Sequence, residues 1–433
     1  MIKIDKLFRL AADDVCCNTS YPLSPEYFAE YRDADFDIMS GVGDLSFYLH
    51  VPFCRSLCRF CEYTRVRCGD EHQESHYVDL LEREIHAWVA QHDYGRMMGI
   101  DVGGGTPTAI SDRNFTRVMC LAKELASVRC DEKMEPSIEF SYSTINEMKL
   151  AAIADAGFTR GSTGLQLVDD DFLMEMDRES PGLAKMKFVN DLLREAGVVK
   201  INLDVMYGFE GQTPRDFEST IRAIELLRPE QVTLYETRYN MNTLPHVGVT
   251  RETNYSLYSF LYDRLSELGY MARFGQNAFS FMADEGVSSY LCRRMFDGTP
   301  YKGFGASAQS MSEKGLSYNA LKGFDGDKFP RLEEISEKDI YRLPGEELVA
   351  KYVAVALYGG KFHLPVVSRL LGADACVHYA AELDYLIGGD YITVDAYGWC
   401  FVTRRGFREY GAIAALFWSN AHKRKWLMSK DSL

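Results

Sequence analysis

The fold of this chain is decided by residues 45–66, LSFYLHVPFCRSLCRFCEYTRV. An apolar run, Leu45 to Val51, stops at Pro52. That is the pattern of a short buried strand ended by a breaker. Cys54, Cys58 and Cys61 follow at once. The three thiols therefore sit in a loop just past a strand's carboxyl end, where backbone can wrap an inorganic core. A regular strand would send alternate side chains to opposite faces.

Three close cysteines are chemically distinctive. A [4Fe–4S] cube held for electron transfer takes four thiolates. With three, one iron is left to bind a reactant, the same open-position logic as a catalytic zinc site. The competing reading is a structural zinc knuckle, because C-x2-C pairs commonly bind zinc. His50 or Cys68 would then supply the fourth ligand.

Outward from this stretch, strand and helix patterns alternate. Tyr77, Leu81, Ile85, Trp88 and Val89 space one face of a helix over Glu74–His92. Ile100–Val102 reads as a strand ending in Gly103-Gly104-Gly105-Thr106-Pro107-Thr108. Ser137–Ser141, Gly161–Leu167, Val198–Met206 and Gln231–Tyr235 read as further strands. Helices over Phe115–Leu125, Ile145–Ala156, Ala184–Ala196 and Asp216–Leu227 separate them. Gly157 and Gly197 are fitting residues just past helix ends. Such alternation implies a parallel sheet with right-handed crossovers and a site at the strands' carboxyl ends. Six units predict a partial (β/α)6 TIM-like barrel over residues 45–235.

Residues 1–44 form an amino-terminal arm, with a helix expected over Pro25–Arg32. Residues 236–340 read as less regular, extending or covering the barrel. Residues 341–433 read as a third unit of helices with a hairpin, Tyr391–Val394 and Trp399–Thr403.

The totals are those of an ordinary globular chain: 433 residues, 46% hydrophobic and 26% charged. A net charge of −15 opposes nonspecific nucleic-acid binding. No run suits a membrane span or a secretory signal. The cysteines outside the motif show no disulfide framework, so a cytoplasmic, reducing location is expected.

CRSLCRFC fits the C-x3-C-x2-C motif of radical S-adenosylmethionine (SAM) enzymes, and the flank Tyr48-Leu49-His50-Val51-Pro52-Phe53 resembles the oxygen-independent coproporphyrinogen III oxidase-like branch. The resemblance implies that Cys54, Cys58 and Cys61 hold a [4Fe–4S] cluster. It implies one or two bound SAM molecules, cleaved to a 5′-deoxyadenosyl radical. It also implies a winged-helix-like carboxyl domain, with Phe401-Val402-Thr403-Arg404-Arg405-Gly406 as its signature. The string Cys17-Asn18-Thr19-Ser20-Tyr21-Pro22 is similar to the arm before the barrel in the oxidases.

Further matches, in family order, assign cofactor contacts. GGGTPT resembles the turn that lies against the methionine part, which gives Gly104, Gly105 and Thr106. Glu139, a carboxylate within an apolar strand, is costly unless paired and matches a cofactor-contacting glutamate. Gln166 belongs to a strand resembling R-x-S-x-G-x-Q, and Arg178 matches the arginine that follows. Asp204 lies in N-x-D-x-x-Y-G and would accept from ribose hydroxyls. Tyr48 matches a tyrosine near the sulfonium, and Phe60 would pack on adenine. Tyr48 and Glu139 are the candidate catalytic residues. For the aromatics, plain core packing is the alternative.

The pattern also departs from the branch. Tyr63 stands where the oxidase has a fourth cysteine, and Met271–Phe279 replaces its Gly-Met-Asp-His-Phe-Ala-like string. Ser289-Tyr290-Leu291-Cys292-Arg293-Arg294 replaces the haem chaperone's His-Asn-x-x-Tyr-Trp string. The expected substrate is a small molecule, a tetrapyrrole or other conjugated ring that is decarboxylated, methylated or opened. Arg273, Arg293, Arg294 and Lys302 supply local positive charge, and Tyr235, Tyr239, Phe274, Phe279, Phe281 and Tyr290 supply flat surface. An electron donor such as flavodoxin or ferredoxin is implied. The rivals are a noncatalytic haem carrier, with Cys292, His246 or Cys17 as ligands, and a nucleic-acid module using Arg404, Arg405, Arg408, Lys423, Arg424 and Lys425.

Overall fold

The structure, a computed structural model, describes residues 3–14, 21–22, 25–127, 129–239, 244, 248–319 and 338–431. The chain begins with helix α1 (Ile4–Asp14) and a single-turn-type helix over Pro25–Tyr31, then enters strand β1 (Leu45–Val51). A two-residue parallel pair, β2 (Phe53–Cys54) and β3 (Val66–Arg67), pins the two ends of the cysteine loop together. The barrel continues through α2 (Glu71–Gln91), β4 (Met97–Gly104), α3 (Asp112–Ala126), β5 (Ser137–Glu139) and α4 (Glu147–Asp155). It then passes through β6 (Arg160–Gln166), α5 (Asp170–Glu175), α6 (Leu183–Glu195), β7 (Lys200–Tyr207), α7 (Glu218–Leu227) and β8 (Gln231–Glu236).

β1, β4, β5, β6, β7 and β8 are neighbours in that order and every pair is parallel. This is the six-unit α/β arc expected from the alternation. The helices start where short polar side chains cap them. Asp70, Ser111, Asn146 and Asp169 each accept from a backbone N–H of the first turn, a cap being worth about 1 kcal/mol.

β4 is longer than expected. Gly103 and Gly104 pair with His50 and Val51 of β1, so the glycines end the strand rather than follow it. The ladder to β1 overrides the weak strand preference of glycine.

Residues 236–340 contain more regular structure than expected. Helix α8 (Arg251–Glu267) leads to β9 (Ala278–Ser280), antiparallel to β8. After α9 (Ser289–Cys292), β10 (Tyr301–Phe304) adds parallel to the other side of β1. β11 (Gln309–Ser312), β12 (Gly315–Asn319) and β13 (Lys338–Arg342) continue as an antiparallel meander. These strands are short and polar, so little apolar alternation marks them in the sequence. The whole sheet reads β13-β12-β11-β10-β1-β4-β5-β6-β7-β8-β9.

The carboxyl unit runs α10 (Gly345–Ala356), β14 (Lys361–His363), α11 (Leu364–Leu371), α12 (Ala375–His378), α13 (Ala380–Gly388), β15 (Ile392–Val394) and β16 (Trp399–Val402). Helices α14 (Arg404–Arg408), α15 (Tyr410–Leu416) and α16 (Asn420–Asp431) follow. Its antiparallel sheet, β14-β16-β15, with helices between the strands, gives the winged-helix-like order. The basic residues of this unit are engaged within the molecule. Arg404 lies over Phe274, Arg405 over Tyr391 and Arg408 over Tyr255, while Lys423 pairs with Glu382 and Lys425 with Glu30.

The amino-terminal arm packs on this last unit. Phe8 meets the rings of Tyr385 and Tyr391. The buried Tyr21 hydroxyl donates to the Glu347 carboxylate. His422 stacks on Tyr27 at 3.9 Å and on Tyr21 at 4.8 Å. Of the string from Cys17 to Pro22, Cys17–Ser20 lie outside the described residues. Among the described residues no helix is long and apolar enough to cross a membrane.

Candidate active site

The inner face of the arc follows from strand alternation. Phe47 and Leu49, Ile100 and Val102, Leu203 and Val205 are each fully buried, and they pack outward against helices. The residues between them, Tyr48, Asp101 and Asp204, retain water-reached surface, as do Glu139 of β5 and Tyr235 of β8. Adjacent strands hold them near one level: Tyr48 pairs with Asp101, and Gly164 with Asp204. The arc thus encloses a bore whose wall is two phenols and three carboxyls.

Arg160 is a counter-charge within reach. It is buried, and its guanidinium donates to Gln231 Oε1 at 2.8 Å and Ser137 Oγ at 2.9 Å. Burial, opposed by Arg160, pushes the Asp101 carboxyl up to about 7. Burial, with repulsion from Glu139, does the same to Asp204, also to about 7. Burial raises Glu139 as well, against a bond from Gly104. The carboxyls are crowded together, so a cationic ligand in the bore would let them ionise.

The cysteine loop closes the carboxyl end of the bore. Cys54 and Cys58 are buried and Cys61 is half-buried. Arg65 braces the loop, donating to the carbonyls of Cys61 and Cys58, the latter at 3.0 Å. Burial pushes the Cys54 thiol up to about 12 and raises that of Cys61. These thiols hold their protons until a metal displaces them. His50, a possible fourth ligand in the zinc reading, faces elsewhere. Its Nε2 lies 3.2 Å from the Thr64 carbonyl and its Nδ1 3.4 Å from the Tyr48 hydroxyl. Burial pushes it down to about 4, so it is neutral.

The glycine-rich stretch is packed directly on that loop. Gly105 N–H donates to Val51 O at 2.9 Å, and Thr106 N–H to Phe53 O at 2.8 Å. Thr106 Oγ1 lies 3.7 Å from Cys54 Sγ. A Cβ on Gly105 would stand 2.7 Å from the Pro52 backbone and 2.8 Å from Cys54 Sγ. Gly104, at φ +124°, donates its N–H to Glu139 at 3.1 Å. A Cβ on Gly103 would meet the Glu139 carboxylate at 2.6 Å.

Across the mouth, Gln166 ends β6 in the left-handed region, at φ +64°, where the β6–β7 register shifts. Its buried Oε1 has no partner among the described residues. Strain of about 1–3 kcal/mol at a non-glycine residue in that region persists where surroundings over-determine it. Arg178 donates to the Gly164 carbonyl and approaches Cys58 Sγ at 3.6 Å.

Of the sequence-derived candidates, the three cysteines, Gly104, Gly105, Thr106, Glu139, Gln166, Arg178, Asp204 and Tyr48 fall at this bore or its mouth. Phe60 packs at the rim with Phe209, 6.2 Å between rings, beside the small apolar cluster of Met176 and Leu244. Asp101 and Arg65 were not anticipated; His50 was expected only as a zinc ligand, and Gly103 and Arg160 only as parts of motifs. A lone acid between two apolar residues, Ile100-Asp101-Val102, carries the same signal that marks Glu139 and Asp204.

The expected basic, flat-faced wall is not assembled. Lys302 is buried against Glu84, and Arg293 pairs with Asp297. Phe274 packs on Phe407, Phe281 on Tyr270, and Phe279 lies in the core. Tyr235 does reach the bore, while Tyr290 is buried and stacks on Tyr48 at 5.9 Å.

The donor set fits an iron–sulfur cube. Among the described residues no three Cys, His, Asp or Glu side chains converge on one ion-sized point. A cube asks instead for thiolates spread over separate irons, and one braced loop supplies three. The unpartnered Gln166 Oε1 and the carboxyl-lined bore fit a cationic, amine-bearing ligand such as SAM.

Residues 48–224 match the family described as the radical SAM superfamily. The oxygen-independent coproporphyrinogen III oxidase of Salmonella typhimurium is 31% identical over 225 residues, 50% of this chain and 48% of that one. The chain thus spans about half the length of that oxidase. The heme chaperone HemW of Bacillus subtilis is 26% identical, over 79% of this chain and 94% of that one. In structure, HemN, the coproporphyrinogen III oxidase of Escherichia coli described as a radical SAM enzyme, superposes with a TM-score of 0.70 at 22% identity. It covers 92% of this chain and 96% of its own.

Proposed function

We propose that the chain is a radical SAM enzyme, using the [4Fe–4S] cluster and SAM of the family that its residues 48–224 match, and that it acts on a tetrapyrrole or other conjugated ring. The observation that carries this reading is the convergence, at one mouth of the bore, of the cysteine loop, the glycine end of β4 and the Gln166–Arg178 pair. Cys54, Cys58 and Cys61 would hold the cluster. When bound, cluster and SAM supply a one-electron cleavage that gives methionine and a 5′-deoxyadenosyl radical.

The chain's own residues bind and aim. Glu139, pinned by the Gly104 N–H, offers a carboxylate to a cationic group. Gln166 Oε1 accepts from an N–H. Asp204, beside Asn202 Nδ2 at 2.7 Å, presents its remaining lone pairs to hydroxyls. Tyr48, backed by the buried Tyr290, and Tyr235 present the phenol surface against which a flat ring would lie. The bore shields the reacting atoms from bulk water, the protein's share of cofactor chemistry. A small electron donor such as flavodoxin or ferredoxin would deliver the electron.

Anaerobic reconstitution with SAM, a reductant and coproporphyrinogen or haem tests the proposal. The expected product is 5′-deoxyadenosine, formed faster with the true substrate. The similarity to a heme chaperone supports a second reading, a haem carrier. Stoichiometric haem binding without SAM cleavage by cluster-loaded protein would favour it. The conceivable haem ligands His246 and Cys17 lie outside the described residues.

A further inference from the structure

A second cavity, part of its wall apolar through Met311, Val355 and Leu370, lies where the sheet extension meets the carboxyl unit. It is bounded by the loop before β10, by β11 and by α10, it opens to solvent, and its interior is small, about 20 Å³, room for one small polar group. Two cations line it, Arg294 and Lys351, with Thr299, Tyr301, Ser312 and Tyr352. No carboxylate does.

Lys351 is the unusual member. Its side chain is 6% exposed, and its ammonium donates to the Tyr21 carbonyl at 2.9 Å. Among the described residues it makes no ion pair. An ammonium has three donors, and a buried charge is ordinarily paired because isolation costs several kcal/mol. Arg294 is placed likewise. It donates to Gln309 Oε1 at 3.0 Å and lies over the Tyr301 ring at 4.5 Å, and its Nε is buried without a partner. Asp101, in the bore, feels the Arg294 charge but makes no ion pair with it.

We propose that this cavity is a carboxylate-binding site in which Lys351 and Arg294 hold the anion. Two cations with no ion-paired counter-charge among the described residues call for an anion. Thr299 adds a hydroxyl donor, while Ser312 spends its own on the Ile38 carbonyl at 2.5 Å, and a planar carboxylate suits a guanidinium edge. Burial and the neighbouring Arg294 push Lys351 down to about 7, the mark of an ammonium without its counter-ion. The carboxylate has two possible sources, a free small acid or the carboxylate arm of a larger ligand.

The test uses full-length protein without cluster or SAM, so its failure would leave the radical SAM reading untouched. Propionate is titrated at ionic strength matched with chloride, with thermal melting and calorimetry as readouts. Wild type should bind propionate and melt higher as it is added. Lys351→Met should weaken binding about tenfold or more and should melt above wild type when no carboxylate is present. Thr299→Val, a milder change, should weaken binding severalfold with melting unchanged.

Coproporphyrin and its tetramethyl ester separate the sources. Competition with propionate by the acid alone points to an arm of a larger ligand. No competition points to a free small acid. Absence of propionate binding beyond the chloride control, or equal binding by folded Lys351→Met, would overturn the proposal.

Discussion

Arg178 joins the two halves of the mouth: one guanidinium lies 3.6 Å from Cys58 Sγ and donates to the carbonyl of Gly164. A planar fork reaches two partners in fixed geometry, which a lysine ammonium does not reproduce. Arg178→Lys should therefore retain the fold but lower iron and sulfide content on anaerobic reconstitution about threefold or more. Melting should shift by no more than about 1–2 kcal/mol equivalent. Unchanged iron content would show that the bridge is incidental.

Gly105 tests the contact between the glycine end of β4 and the cysteine loop. A methyl there would stand 2.7 Å from the Pro52 backbone, which cannot swing away as a flexible side chain can. Gly105→Ala should cost about 1–3 kcal/mol and should lower both cluster content and SAM affinity. Gly182→Ala, where a Cβ meets nothing within 4 Å but φ is +78°, controls for backbone strain alone. It should lower melting without changing iron content.

The cysteines differ in expected role. Cys58→Ser should abolish the broad visible absorption of a reconstituted cluster. Cys68→Ser should leave it intact, since Cys68 lines an outer pocket with Arg55 and Glu74. Equal loss in both variants would move the site.

The bore carboxyls predict an inverted pH dependence. Asp204 is raised in the folded state, mainly by burial and then by Glu139. Its neutral form therefore favours folding below the unfolded carboxyl range, and that contribution is lost as pH rises through about 7. Asp204→Asn should match wild-type stability under acid conditions and exceed it in mild alkali by about 1–2 kcal/mol, discounted because water reaches the bore. The same variant should bind SAM more weakly. Denaturant melts across pH and calorimetry check both halves.

His422 runs the other way. It is stacked on Tyr27 and Tyr21 with both ring nitrogens buried and unpartnered. Burial, then Lys425, pushes it down to about 4. The neutral ring favours folding above the unfolded histidine value, and that contribution is lost as pH falls toward about 4. His422→Phe should flatten the acid limb of stability by on the order of 2 kcal/mol and should be near neutral in mild alkali.

The barrel was legible because apolar runs such as Leu45–Val51 and Val198–Met206 alternate with segments of helical spacing. The cysteine loop and Glu139 were legible because thiols at that spacing, and an acid on an inward strand face, have few other uses; Asp204 was legible only through the resemblance of its strand to N-x-D-x-x-Y-G. β11 and β12 were not: Gln309–Ser312 and Gly315–Asn319 are short, and Met311, Leu316 and Tyr318 alone give too brief an alternation to mark strands. Basic residues misled for a related reason. Lys302 and Arg293 look like ligand-facing charge in sequence, yet Glu84 and Asp297, distant or local, neutralise them. Asp101 shows the converse, a site residue signalled by its strand and passed over.

The six parallel strands do not bond back on themselves; β10 and β9 continue the ladder on either flank instead. A ring closed by hydrogen bonds has a fixed circumference, and its centre fills with side chains. An arc has no such constraint. Its radius can change by small adjustments of twist between neighbours, with every ladder bond kept. A broad, rigid guest can therefore be admitted by uncurling, at a cost paid in torsion rather than in broken pairing.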